Sequence, residues 1–221
     1  MNKILLDEEY YLLKDQEVDV EITKRNLKLE IEGNVKINDL TSNEDLNLKI
    51  ILKDNSKLIY NKFNKDVSTI NVDIDVSENT YLSFNQSLYN QIEGNYKVFA
   101  NILGSNNKTY INFYGVSNQN GKILVNATGD VKTNIKNNDM LENIRILSLN
   151  DEKNVIYPNL LVASDEVTIN HNATISKIDE SYLFYLESKG LSKESATKLI
   201  TNGFILSKLD INEDDKEKIK L

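Results

Sequence analysis

The chain has no cysteine. That excludes disulfides, thiolate zinc sites, cysteine-ligated iron–sulfur clusters and cysteine nucleophiles. Histidine occurs once, as His171, and proline once, as Pro158. A single imidazole cannot form a metal constellation within the chain, which needs several convergent N, O or S ligands. No Gly-x-Ser-x-Gly elbow and no GxxxxGK[ST] phosphate loop occurs, so any ATP turnover would have to come from a partner. Basic residues are also in deficit: 26 Lys and Arg stand against 34 Asp and Glu, for a net charge of −8. Nucleic-acid binding needs clustered positive charge, so that class is disfavoured. No stretch approaches the roughly 20 apolar residues that span a bilayer. The opening MNKILLDEEYY has a single Lys and a short apolar run, which does not read as a signal peptide. These absences predict a cytoplasmic protein that is not an enzyme and contacts neither nucleic acid nor membrane.

What is present is period-2 alternation, over most of 221 residues. Leu27, Leu29 and Ile31, then Leu46, Leu48 and Ile50, then Ile70, Val72, Ile74 and Val76 place apolar side chains on one face of successive strands. The pattern continues through Tyr81–Leu88, Tyr96–Leu103, Thr109–Val116, Ile123–Val125 and Ile144–Leu149. Between the runs lie turn formers such as Gly33-Asn34, Asp54-Asn55-Ser56, Gly104-Ser105-Asn106-Asn107 and Asn118-Gln119-Asn120-Gly121. No long helical pattern interrupts them, so a βαβ sheet is not expected. Sandwich, barrel and β-solenoid remain as alternatives. No strict repeat selects among them. The abundant Asn is read first as compositional bias and second as stacked ladders. The scarcity of proline suits continuous strand pairing, because proline lacks the donor N–H.

After Ile175 the period changes. Asp179 reads as an N-cap and Gly190 as the left-handed residue that ends a first helix. Ser192 reads as the cap of a second helix, with Glu194 in its first turn where the dipole favours an anion. Ala196, Leu199, Ile200 and Phe204 follow helical spacing. A third short helix is expected from Asn212, acidic at its start and basic at its end. The expected organisation is a β domain over 1–176 and a helical unit over 177–221.

Within Tyr157–Phe204, Pro158-x-Leu160, Asp165-x-Val167 and His171-x-Ala173-Thr174 occur in order. They are followed by LFYLESKGLSKESATKLITNGF. This succession resembles the C-terminal signature of the SufB/SufD family, the scaffold subunits of SUF iron–sulfur cluster assembly. The turn Ser188-Lys189-Gly190 has Lys where the family usually has Arg. The resemblance implies a right-handed parallel β-helix followed by a small C-terminal helical unit. It implies pairing through the β-helix with a SufB-like chain or with a second copy. It also implies docking of a SufC-like ABC ATPase on the C-terminal helices, with Leu183, Phe184, Leu186, Leu199, Ile200 and Phe204 shaping that surface. A SufB-type chain is expected to carry a Cys in the β-helix and Glu after the motif histidine. Here there is no Cys and Asn172 follows His171, although Ser176-Lys177-Ile178 is similar to SufB. On chemistry the chain reads as a shortened SufD-like member. Any iron–sulfur cluster would be transient and shared with a partner subunit, with none bound by this chain alone.

His171 has two readings: an imidazole ligand to iron or a cluster at a subunit interface, or a structural hydrogen-bonding residue near the strand-to-helix junction. Asp165 and Glu166, adjacent on the chain, point to opposite faces and read as turn residues. Asp73 and Asp75 share a face and read as a solvated strand surface. The tyrosines read as core and turn residues, with an aromatic binding face as the alternative. The rival functions are a degenerate scaffold without cluster chemistry and a β-solenoid or β-sandwich ligand-binding module.

Overall fold

The computed structural model describes residues 2–41 and 44–221. Met1, Ser42 and Asn43, counted above with the β domain, lie outside the described residues. The described residues form thirteen strands followed by three helices. The strands are β1 (Asn2–Leu6), β2 (Tyr10–Ile22), β3 (Asn26–Asp39), β4 (Leu46–Leu52), β5 (Lys57–Lys65), β6 (Thr69–Val76) and β7 (Tyr81–Asn90). They continue as β8 (Glu93–Ile102), β9 (Lys108–Ser117), β10 (Lys122–Val131), β11 (Asn138–Ser148), β12 (Val155–Val162) and β13 (Val167–Ser176). The helices are α1 (Glu180–Ser188), α2 (Lys193–Leu206) and α3 (Glu213–Lys218).

Each of these strand pairings is parallel. The order is β12-β10-β8-β6-β4-β3-β5-β7-β9-β11-β13. Even strands from β4 onward make one wall and odd strands from β5 onward the other. Strand β3 crosses between them, pairing with β4 through Asn26–Ile31 and with β5 through Asn34–Asp39. The result is a β-solenoid in which each coil lays one strand on each wall. A sandwich, whose sheets are antiparallel, is ruled out by this pairing.

Register neighbours in a parallel sheet point the same way, so side chains stack in columns. On the even wall the inward column Leu46, Ile70, Tyr96, Val125, Ile156 runs through the later coils. The two walls share one apolar core. The alternation read from sequence is therefore the inward half of each strand. Strand β5 escaped that reading because its inward positions include Lys62 and Asn64. Both are buried, and Lys62 forms an ion pair with the equally buried Asp39 of the preceding coil. Tyr60 also donates to Asp39 Oδ2, at 3.2 Å.

The asparagines are structural, which corrects their first reading as compositional bias. Asn38, Asn61, Asn85, Asn112 and Asn143 form an outward ladder, linked by carboxamide bonds of 3.0, 3.1, 2.9 and 3.4 Å. A second stack occupies the corner before the odd wall. Asn55, Asn79, Asn106 and Asn137 have φ of 61°, 57°, 62° and 55°. Asn tolerates this left-handed geometry better than most residues. Gly33 (φ 68°) is a bend inside β3 rather than a turn between strands, and Asp15 of the bulged β2 fills the space beside it.

The helix caps are where the sequence places them. Asp179, Ser192 and Asn212 accept from the backbone N–H of Ser181, Ser195 and Asp215. Gly190 adopts φ 93° just past α1. Helices α2 and α3 and their connection pack on outward residues of the odd wall. Leu40, Phe63, Tyr89, Val116 and Leu147 meet Ile205, Leu209, Ile211 and Ile219 there. The Asn ladder also clips the connection: Asn61 donates to the Asp210 carbonyl at 2.9 Å and accepts from the Asp210 N–H at 3.0 Å.

Candidate functional site

The last coil differs from those beneath it. Strands β12 and β13 each have one sheet neighbour, β10 and β11. Their far edges carry unpaired backbone groups, the usual template for another chain. Pro158 lies in β12, where the loss of a donor on an edge strand is tolerated. In β10 inward residues alternate with outward ones as buried and half-buried. In β12, whose register matches β10 from Leu124↔Val155 to Val131↔Val162, inward Ile156, Pro158 and Leu160 are only half-buried and Val162 is exposed. Val162 and Ile175 are 47% and 45% exposed, and outward Tyr157 and Leu161 are 53% and 54% exposed.

His171 sits on β13 in this open coil, in register with Glu142 of β11. Followed downward, its column reads Glu142, Ile111, Phe84, Tyr60 and Ile37. The ring is exposed, and among the described residues no hydrogen bond or ion pair engages it. Asn172 points the other way, in register with Asn143 at the end of the outward ladder. The residue that stands where a SufB-type chain is expected to have Glu thus continues a structural column.

Glu142 was not singled out from the sequence. It is fully buried, and neither carboxylate oxygen makes a hydrogen bond of ordinary geometry. Burial pushes its pKa up to about 7, and the nearby Gly129 amide pulls only weakly the other way. The facing column makes room for it. Ile50 and Ile74 give way to Ala100 and then Gly129. A Cβ on Gly129 would lie 3.2 Å from Glu142 Oε1 and 2.4 Å from Met140 Cε. The sequence signal was present in Met140-x-Glu142-x-Ile144, an acid where alternation requires an apolar residue.

Among the described residues no three His, Asp or Glu side chains gather as a metal site. Asp165 and Glu166 lie exposed between β12 and β13, Glu166 bridged to Lys136 at 2.6 Å. Asp73 and Asp75 face outward and share Lys49, at 2.9 and 2.7 Å. An open groove of about 630 Å³ lies beside them, lined by Asn26, Lys28, Asn47, Lys97 and Phe99 among others. Tyr60 and Tyr96 fill the interior, whereas Tyr10 is exposed.

The six helical candidates separate into two environments. Phe184 of α1 and Leu199 of α2 are 74% and 54% exposed, and Phe184 is flanked by exposed Tyr182 and Tyr185. Leu183, Leu186 and Ile200 are half-buried. Phe204 is also half-buried and turns toward the solenoid, its ring 5.2 Å from that of Tyr114 with the Arg145 guanidinium over both. The fully buried side of α2 is Ala196, Thr201 and Ile205, so Leu199 lies off the packed face. No helix among the described residues is long and apolar enough to cross a membrane.

Residues 62–204 match the family model described as SUF system FeS cluster assembly, SufBD core domain. The match begins in β5, well upstream of the Tyr157–Phe204 motif, and ends in α2. An iron–sulfur cluster assembly SufBD family protein of Pyrococcus horikoshii is 53% identical over 49 residues, 22% of this chain and 11% of that protein. The iron–sulfur cluster assembly protein SufD of Bacillus subtilis is 29% identical over 103 residues, 46% of this chain and 24% of that protein. A SufBD family protein of Staphylococcus aureus is 48% identical over 44 residues, 20% of this chain and 10% of that protein. The aligned part of this chain therefore spans a quarter or less of each of these relatives.

Proposed function

The chain belongs to the SufBD core domain family, and from that premise we propose that it is a non-catalytic scaffold subunit of a SUF-type iron–sulfur cluster assembly complex. It pairs through the open end of its solenoid with a SufB-like chain or a second copy. It docks a SufC-like ABC ATPase on its C-terminal helical unit, residues 177–221. The observation that carries the proposal is the last coil: its inward apolar positions are half-buried to exposed, and each of its strands has one open edge, within a family match that runs through it. A second β-solenoid end offers both what the edges lack, backbone partners, and what the columns lack, apolar contact.

His171 stands at that end and presents an imidazole toward the partner. With no thiolate in this chain, sulfur ligands for a nascent cluster come from the other subunit, and the cluster is cargo shared between them. The exposed Tyr182, Phe184, Tyr185 and Leu199 supply the ATPase surface, while Phe204 holds α2 in place. Large exposed aromatics are the residue type that dominates binding energy when an interface covers them.

The test is co-expression of the tagged full chain with SufB-like and SufC-like partners, followed by anaerobic purification and iron analysis. Recovery of both partners is expected. Leu161→Lys with Val162→Asp should release the SufB-like chain and retain the ATPase. Phe184→Asp should do the reverse. An intact complex after deletion of 179–221 would overturn the docking assignment. Purification of the chain as a colourless monomer without either partner would sink the scaffold reading.

A further inference from the structure

We propose that Glu142 is a positioning residue for His171: a buried carboxyl group in the penultimate coil over which the imidazole of the last coil is held. The inference deepens the scaffold reading, and it rests on that reading for its purpose but not for its geometry. The column beneath His171 is apolar or aromatic through Ile37, Tyr60, Phe84 and Ile111, and carries a carboxyl or imidazole group only at Glu142 and His171. The change thus comes in the two coils nearest the open end. Register neighbours in a parallel sheet lie roughly 4.8 Å apart and project the same way. An imidazole turned inward from His171 therefore meets the Glu142 carboxyl group.

Both groups lack something the other supplies. Glu142 is buried with two unsatisfied oxygens, a condition that folded proteins rarely leave unresolved. His171 is exposed at the mouth of the same column, and no other histidine exists in the chain. The side chains opposite shrink to Ala100 and Gly129 at this level, so the carboxyl group is housed rather than squeezed. One ring nitrogen donates to the carboxylate or accepts from the carboxylic acid. The other is thereby fixed toward the open end. This is how a carboxylate sets the tautomer and direction of a histidine that serves a ligand on its far side.

The single histidine makes the test direct. Full-length chain labelled with 15N-histidine gives one Nδ1 and one Nε2 resonance. In the wild type at neutral pH both shifts should depart from those of free histidine. Glu142→Leu, which suits the apolar surroundings, should return them to the free values. Glu142→Gln, which keeps an acceptor, should retain part of the displacement. Thermal melts confirm that each variant is folded, and Glu142→Met replaces the Leu variant if the latter does not fold. Identical imidazole shifts in the wild type and the folded apolar variant would overturn the proposal. Displaced shifts that depend on Glu142, in a chain that captures no SufB-like or SufC-like partner, would overturn the scaffold reading and leave this contact standing.

Discussion

The two ends of the solenoid are built from the same alternation, yet they differ in how far their inward residues are covered. At the first end Leu6 and Leu13 are 0% and 3% exposed. Strand β1 pairs alongside β2, and the Tyr11 hydroxyl ties the turn between them by accepting from the Asp7 and Glu8 N–H groups at 3.0 and 3.1 Å. At the other end, among the described residues, no strand lies beyond β12 and β13, and their inward residues are half-buried to exposed. Strand β1 also has a single sheet neighbour, so the ends differ in the cover of their inward residues and not in their strand edges. The apolar patterning of the last coil is that of a core, which is costly to leave wet and well suited to a partner of the same architecture.

The comparison can be broken or sharpened by substitutions placed at different heights. The largest effect is expected deep in the stack. Lys62→Met leaves Asp39 charged and buried without its ion partner, which should cost about 3–5 kcal/mol in chemical denaturation. Adding Asp39→Leu should recover most of that loss. If the single substitution is neutral, the interior pair lies in a wetter environment than its burial indicates.

Next comes Glu142. Its carboxyl pKa is raised to about 7 from 4.5 by burial. Below about pH 4.5 both folded and unfolded forms carry the proton, and the stability is complete. As pH rises toward 7 the unfolded chain loses the proton first, so stability falls by about 3 kcal/mol and then levels off. This slope should be clearest in His171→Ala, where the imidazole no longer contributes. It should be absent when Glu142→Gln is added. An equally steep slope in the double variant would assign it to another group.

A register pair isolates the open end itself. Val131→Thr places a hydroxyl in the closed core and should cost about 1–3 kcal/mol. Val162→Thr, one coil above in the same column, should cost no more than about 0.5 kcal/mol in the isolated chain. In a complex that covers the end, the second substitution should weaken assembly. Equal costs in the free chain would mean that the last coil is already covered. The smallest effect is expected on α1: Phe184→Asp should leave the melting temperature nearly unchanged, because its ring is 74% exposed.

Much of this architecture was legible in the sequence. Strands with strictly apolar inward positions, such as Thr69–Val76, announce themselves, and so do helix caps, because both signals are local. Strand β5 was not legible, because Lys62 and Asn64 occupy inward positions that only long-range partners make acceptable. The Asn ladders were hidden for a different reason. The stacking of Leu46 on Ile70, Ile70 on Tyr96 and Tyr96 on Val125 uses a different coil length at each step, so no fixed period exists to be found. His171 stood out by being alone. Glu142 did not, since one acid among many becomes unusual only when its neighbours in space are known.

The uneven coil length has a further consequence. Each coil touches only the one below and the one above, so the energetics are those of a one-dimensional stack with nearest-neighbour coupling. Extra residues are absorbed at the corners, and the columns above and below keep their alignment. The open end is therefore a property of the terminal coils and is insensitive to how many lie beneath them. A solenoid of this kind can gain or lose whole coils while keeping the same end surface, much as a ladder can change height without changing its top rung.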